Sequence, residues 1–480
     1  MSEPARLKAG LSLFDAAAIV AGSMIGSGIF IVSADITRQT GSPAALLLVW
    51  IVSGLMTIVG ALAYGELAAM LPHAGGQYVF LREAYGEPIA FSFGWALLLV
   101  IQTGTIAAVA VAFARFAAVF CPTIGPQVLL GNESFGLSYE RLVAIAVILL
   151  LTAVNLRGLD YGKLVQNLFT GTKILSLLLI VLVGCFLWPN RFAIQMNFGT
   201  GAGFFGDRPL SIGWAAAFGA AMVGGLFSAD AWGSVTFAAS EVREPGRNLP
   251  KALALGAGVV VILYVLTNIA YLCELPAMSQ PSLIDHGGGG IFAHGIANAQ
   301  GDRVGTAAMR VVFGHAGATV MALLVMVSTF GCANGLILTG ARVIYAMACD
   351  GLFFAMTKQL NAASVPAPAL LIQAGWAALL TVSGTYSELL DYVIFAQLLF
   401  YVLTVGAVFI LRFRLPEAPR PYRAWGYPWA PTAYIIAAGA LMIDLLIVRP
   451  HYTWPGLIIA LSALPVYAMT VYRRGSQALD

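Results

Sequence analysis

The sequence predicts an all-α integral membrane protein with twelve transmembrane helices, two of them interrupted. Composition is the first ground: 60% of residues are hydrophobic and 10% charged, against about 25% charged in an average soluble domain. Apolar runs of spanning length recurring along the whole chain are the second. Two short glycine-rich stretches inside such runs are the third: Gly22-Ser23-Met24-Ile25-Gly26-Ser27-Gly28, then Gly224-Gly225-Leu226-Phe227-Ser228-Ala229-Asp230-Ala231-Trp232-Gly233. Irregular backbone inside lipid is tolerated only where protein buries it or where it lines a cavity. Glycine alone is a weak sign, because membrane helices use it for packing. Two breaks in matching spans of two halves point to the substrate site of a secondary transporter.

Taken in order, the apolar runs place spans at 12–32, 43–70, 88–118, 139–156, 163–187 and 210–240. They continue at 249–273, 316–348, 368–384, 388–413, 431–448 and 454–472. Arg6 and Lys8 lead straight into the first, so no cleavable signal peptide is expected. The tails are short and the longest loops fall at 188–209 and 274–315, which leaves no room for a soluble domain.

With twelve spans both tails share one side. That side collects sixteen Lys and Arg, from Arg6 to Arg474, against eight on the other, among them Arg38, Arg115, Arg303 and Arg310; Lys173 inside a span completes the 25. By the positive-inside rule both termini are cytoplasmic, in a multi-pass protein of the plasma or inner membrane. The net charge of +3 reflects topology and gives no reason to expect nucleic acid as a partner. Five scattered cysteines, an odd number with no CxxC pair, argue against a disulfide framework. Cys121 stands apart at the outer end of the third span. The histidines His73, His286, His294, His315 and His451 fall in loops or at helix ends, so no metal site and no cofactor are expected.

A further set of motifs runs nearly end to end: Gly26-Ser27-Gly28-Ile29-Phe30, Gly75-Gly76-Gln77-Tyr78 with Tyr85-Gly86, Thr152-Ala153-Val154-Asn155, and Val165-Gln166-Asn167 leading to Lys173. Then come Glu241 to Pro250 (EVREPGRNLP), Arg420-Pro421-Tyr422-Arg423 and Gly426-Tyr427-Pro428. In this order they resemble the amino acid–polyamine–organocation transporters, and within them the L-type amino-acid exchangers and their bacterial relatives. The resemblance implies a LeuT-like fold: residues 1–187 (spans 1–5) and 188–413 (spans 6–10) as inverted repeats, 414–480 as peripheral spans 11 and 12. It implies an amino-acid exchanger working by alternating access, without sodium. The human-type exchangers pair with a heavy subunit through a cysteine after span 3, near Cys121. Short tails and bacterial-looking loops set the expectation here at no obligatory heavy subunit, with membrane lipid and the amino-acid substrate as the partners. The sequon Asn132-Glu133-Ser134 lies on the expected outer side.

The breaks also define the chemistry. An amino acid brings a carboxylate and an ammonium to the membrane midplane, and neither is left unpaired there. The half-helix after the first break offers free N–H groups and the positive end of its dipole. The carboxylate is therefore expected against the backbone of Ile25, Gly26, Ser27 and Gly28, with the Ser27 hydroxyl as a further donor. Glycine allows the close approach. The family resemblance supplies ammonium acceptors at Met24 and Phe227, helped by Ala229 and Asp230, and makes Phe227 an aromatic gate. Trp232 reads as well as packing.

Two charges lie deep. A carboxylate at the bilayer centre costs about 2.5–3.5 kcal/mol on insertion scales, so Asp230 needs a purpose. It is read as a cap on the second half of span 6, as a partner of the substrate ammonium, or as a reader of cationic side chains. Lys173, ten residues into span 5, lies about 15 Å deep at 1.5 Å per residue, beyond snorkelling reach. In the resembled family this lysine stands where sodium-coupled relatives bind a cation; a plain ammonium–carbonyl tether is the alternative. Ser328, Thr329, Asn334 and Thr339 form a polar strip on span 8, for the cavity or for helix packing. Glu66 and Glu241 read as ion-paired near cytoplasmic helix ends. Asp444 is without a role unless Arg449 pairs with it, and Gly287 to Gly290, beside Asp285 and His286, reads as a flexible loop. A proton-coupled symporter using Lys173 or Asp230 is the near rival, and an amino-acid sensor is a rival of another class. An intramembrane enzyme is disfavoured, with no histidine in a span to serve as a base.

Overall fold

The computed structural model describes residues 10–132, 135–199, 202–206, 211–279, 294–383, 386–448 and 450–477, and almost all of them are helical. Ten helices are long and apolar enough to cross a membrane, and two shorter apolar helices, Ala367–Ser383 and Gly456–Met469, fall within the expected ninth and twelfth spans. Arg449, Asp285, His286 and Gly287 to Gly290 lie outside the described residues.

Span 1 consists of α1 (Leu13–Met24) and α2 (Gly28–Thr40). A capping box starts α1: the Ser12 hydroxyl accepts the Asp15 N–H, and the Asp15 carboxylate accepts the Ser12 N–H at 2.9 Å. Next, α3 (Pro43–Met70) starts with Ser42 as N-cap and proline at the first turn. The Gly-Gly-Gln-Tyr motif is a turn. Gly75 and Gly76 hold φ of 99° and 44°, and they launch the short α4 (Gln77–Tyr85), which stops at Gly86 with φ 90°. A long helix follows, α5 (Glu87–Ala117), then α6 (Tyr139–Leu156) and α7 (Leu159–Leu182), which runs into a wide turn at Val183–Leu187.

After the short α8 (Arg191–Phe198), span 6 is α9 (Ile212–Ser228) followed by a tight 3-10 segment, Trp232–Glu241. Then come α10 (Pro245–Glu274), α11 (Val304–Cys349), α12 (Ala367–Ser383), α13 (Tyr386–Arg414), α14 (Trp429–Val448) and α15 (Pro450–Gln477). Span 1 and α5 are the centre, with 94% and 89% of their most apolar windows buried, whereas α14 is 22% buried and faces outward. Exposed Leu149, Leu150, Ile262 and Ile436 belong on such outward faces, because lipid tails accept what water would not.

Hydropathy alone missed three features. A small hairpin pairs Val128–Gly131 with Gly136–Ser138, and α4 and α8 are short amphipathic helices between spans. Helix α11 begins twelve residues before the expected span 8, then bends at Gly314, where φ is 64° and ψ −147°. Arg303, Arg310 and His315 flank that first stretch, so its polarity hid its helicity.

Candidate functional site

The two breaks meet. At the first, α1 stops at Met24, Ile25 turns extended (φ −74°, ψ 91°) and α2 starts from Ser27. The last carbonyls of any helix lack partners within it, and here other spans supply them. Lys173 Nζ donates to Gly22 O at 2.6 Å, and the Cys332 thiol donates to Ser23 O at 2.9 Å. The Ser328 hydroxyl lies 3.2 Å from Ile25 O and 3.1 Å from Gly26 O. An ammonium at the negative end of a half-helix is also favoured by the dipole. The ammonium–carbonyl tether is thus present; its equivalence to a bound cation is taken up under the proposed function.

At the second break, Ser228 ends α9 and Ala231 adopts a left-handed conformation (φ 66°, ψ 3°) before the 3-10 segment. Gly28 lies directly against Ser228: a Cβ on Gly28 would stand 2.7 Å from the Ser228 Cβ. One side chain joins both ends. The Tyr264 hydroxyl from α10 lies 2.9 Å from Met24 O and 3.0 Å from Ser228 O, so a single proton serves the last carbonyls of two half-helices. Sequence reading missed it, because its partners lie 240 and 36 residues away.

Asp230 is 7% exposed, and its Oδ1 accepts from the Tyr401 hydroxyl of α13 at 2.6 Å. Trp232 stacks on Tyr401 (ring centroids 4.9 Å) and meets Tyr64 edge-on (4.6 Å), so it is a packing residue within an aromatic cluster. Two small adjoining cavities share Asp230, Gln397 and Tyr401 in their walls. Met56, Thr57 and Tyr434 line one; Gln102, Thr105 and Ser234 line the other.

Of the expected substrate-binding residues, Asp230 lines these cavities. Met24, Ile25, Gly26, Ser27 and Gly28 are buried in the first break, and Phe227 and Ala229 in the second. The Met24 carbonyl, the expected ammonium acceptor, is engaged by Tyr264 and keeps one lone pair for a further donor. Ser328 touches the break but lines neither cavity. Asn334 sits deeper in a network with Asn155, Gln166 and Gly162, and Thr329 and Thr339 bond back to their own helix.

Glu241 and Glu66 are ion-paired. Glu241 meets Arg342 at 2.9 Å, both buried; Glu66 accepts from Arg412 at 2.8 and 2.6 Å and from the Ala424 N–H at 2.6 Å. Asp444 packs against Gly219, its Oδ2 unpartnered among the described residues. Glu274, unnoticed in the sequence, is fully buried with neither oxygen hydrogen-bonded there. No group of three His, Cys, Asp or Glu with metal-ligand geometry occurs among the described residues.

Two half-helix breaks facing each other beside a buried carboxylate, with small cavities of mixed polar and apolar lining, fit a membrane carrier. The chain belongs to the amino acid permease family, which matches residues 11–470. It is 32% identical over 475 residues to large neutral amino acids transporter small subunit 2 of Mus musculus, covering 97% of this chain and 82% of that one. It is 30% identical over 469 residues to the b(0,+)-type amino acid transporter 1 of Mus musculus, covering 96% and 88%. It is 29% identical over 478 residues to the Asc-type amino acid transporter 1 of Mus musculus, covering 98% and 83%. The family and these relatives support amino-acid transport by a multi-pass membrane protein. They also correct one expectation, that no heavy subunit is obligatory. The first of these relatives, like its rat and human counterparts, is by name a small subunit, part of a larger transporter. Short tails and bacterial-looking loops were a poor guide, since pairing with a second subunit does not require long tails.

Proposed function

We propose that the chain is an amino-acid exchanger: sodium-independent, working by alternating access in the cell membrane, with twelve spans, both termini cytoplasmic and no catalytic chemistry of its own. In this reading residues 1–187 and 188–413 are two inverted repeats of a LeuT-like fold, and 414–480 carries two peripheral spans. The observation that carries it is the pair of facing breaks held by fixed protein groups, the Lys173 ammonium on Gly22 O and the Tyr264 hydroxyl on Met24 O and Ser228 O. A fixed ammonium supplies the positive charge that a bound cation would bring, which removes the need for sodium. The substrate carboxylate lies against the backbone of Ile25, Gly26, Ser27 and Gly28 at the positive end of α2, the ammonium shares the Met24 and Phe227 carbonyls, and Phe227 closes over the site. Asp230, at the wall of both cavities, reads the substrate side chain and favours cationic amino acids.

Uptake of radiolabelled amino acids into proteoliposomes tests this, with internal amino acid, external sodium and the proton gradient varied separately. Uptake that requires internal amino acid and ignores both gradients is the expected result. Uptake into empty vesicles driven by a proton gradient would replace exchange with symport.

A further inference from the structure

At the end of the molecule opposite the Glu241–Arg342 pair, α5 finishes and α11 begins. An open cleft of about 150 Å³ lies between them. One wall is apolar, with Ala118 and Val119; the other carries Arg303, Arg310 and His315. Arg303 is half-buried, and burial together with the nearby Arg115 charge pushes its guanidinium below the usual range. Two nearby carboxylates are engaged elsewhere: Asp302, next to Arg303 in sequence, lies 2.6 Å from Arg38, and Glu140 lies 3.8 Å from Arg115. Neither Arg303 nor Arg310 has a carboxylate partner among the described residues. Thr306 also lines the cleft, 8% exposed, and its hydroxyl has no partner there.

This arrangement is costly without a ligand. A half-buried guanidinium beside a like charge, and a buried hydroxyl with nothing to bond, both favour an anion with several oxygen acceptors. The place is interfacial as well. The bend at Gly314 falls just before the expected start of span 8, and Trp188 meets Phe313 edge-on at 5.4 Å, both rings largely exposed, as in an aromatic belt. This side carries only a third of the loop cations by the sequence reading, yet Arg115, Arg303 and Arg310 converge here. We propose that this cleft is a phosphate-oxyanion site, taking the headgroup of an anionic phospholipid between Arg303, Arg310 and the Thr306 hydroxyl, its acyl chain along Ala118 and Val119.

The full chain in detergent is incubated with equal amounts of phosphatidylglycerol and phosphatidylcholine, and retained lipid is read by native mass spectrometry. In a parallel arm inorganic phosphate is titrated into lipid-stripped protein against chloride at equal ionic strength. Several-fold preferential retention of phosphatidylglycerol is expected, falling to parity in R303Q/R310Q, partly restored in R303K/R310K and weakened in T306V. Phosphate binding with the same variant sensitivity, without lipid preference, also supports the site and assigns it to a free oxyanion. Equal retention of both lipids, with phosphate binding absent or indifferent to the variants, would overturn it. If R303Q/R310Q does not elute as a single folded species, exposed R310Q and conservative T306V carry the same comparison.

Discussion

Lys173 and Tyr264 do similar geometric work with different chemistry, and the difference is measurable. A hydrogen bond from a charged group contributes about 1.5–3 kcal/mol, a neutral one about 0.5–1.5. Lys173→Ala removes a charged donor 2.6 Å from Gly22 O and leaves the carbonyl buried. Exchange rates in proteoliposomes should fall roughly ten- to hundredfold at equal membrane insertion, in line with that range. Tyr264→Phe removes one neutral proton shared by two carbonyls. Its loss should be smaller, roughly two- to tenfold by the same reckoning, and visible at both breaks as faster hydrogen exchange. If the lysine variant is the milder one, the ammonium is not what fixes α1. Asp230 is a third test: Asp230→Asn keeps the hydrogen-bond acceptor for Tyr401 and removes the charge. Competition assays should then show lysine and arginine weakened relative to leucine, whereas an equal loss for all three would make Asp230 structural.

At the scale of elements, the sequence marked both breaks but misjudged what some of their residues do. Span 1 is interrupted where its glycines are, at Gly26 and Gly28. In span 6, Gly224 and Gly225 lie within regular α9 and serve packing: a Cβ on Gly224 would stand 3.1 Å from Val32, and one on Gly225 2.5 Å from the Ser53 hydroxyl and 3.2 Å from Val49. The turn itself falls on Ala231 at φ 66°, which an L-residue with a side chain adopts only under constraint. Composition cannot show this, because nothing in an alanine marks it for a left-handed backbone. Ala231→Val, β-branched at positive φ, should cost about 1–3 kcal/mol and lower the melting temperature, whereas Ala231→Gly should be tolerated. Gly76 is a glycine that is needed: at φ 44° a Cβ would stand 2.5 Å from the Thr236 backbone. Partners separated by hundreds of residues, such as Tyr264 with Met24 and Tyr401 with Asp230, were out of reach of periodicity, which reports only local faces.

Across the whole molecule, ten helices among the described residues are long and apolar enough to cross a membrane, because lipid imposes one rule on all of them; the state of the molecule follows from tertiary ion pairs instead. The Glu241 end is shut. Glu241 at the end of the 3-10 segment pairs with Arg342 of α11, and its carbonyl accepts the Gly10 and Leu11 N–H groups at 2.9 Å, tying the start of span 1 to the end of span 6. Glu66 gathers Arg412, Arg420 and the Ala424 N–H at the same end. A carrier must break such contacts to open there, and breaking a buried pair by removing one partner costs about 3–5 kcal/mol. Cys332 reports the opening, since its thiol is 2% exposed and bonded to Ser23 O at the first break. In a variant with the other four cysteines replaced, Glu241→Gln should speed maleimide labelling of Cys332 on the order of tenfold, the factor that about 1.4 kcal/mol of shifted opening equilibrium gives. Saturating amino acid should slow it again, because a ligand that favours the occluded arrangement shifts the population back. Labelling unchanged by Glu241→Gln would mean that the Glu66 cluster and the Gly10 and Leu11 N–H bonds to the Glu241 carbonyl hold this end closed without the Glu241 carboxylate.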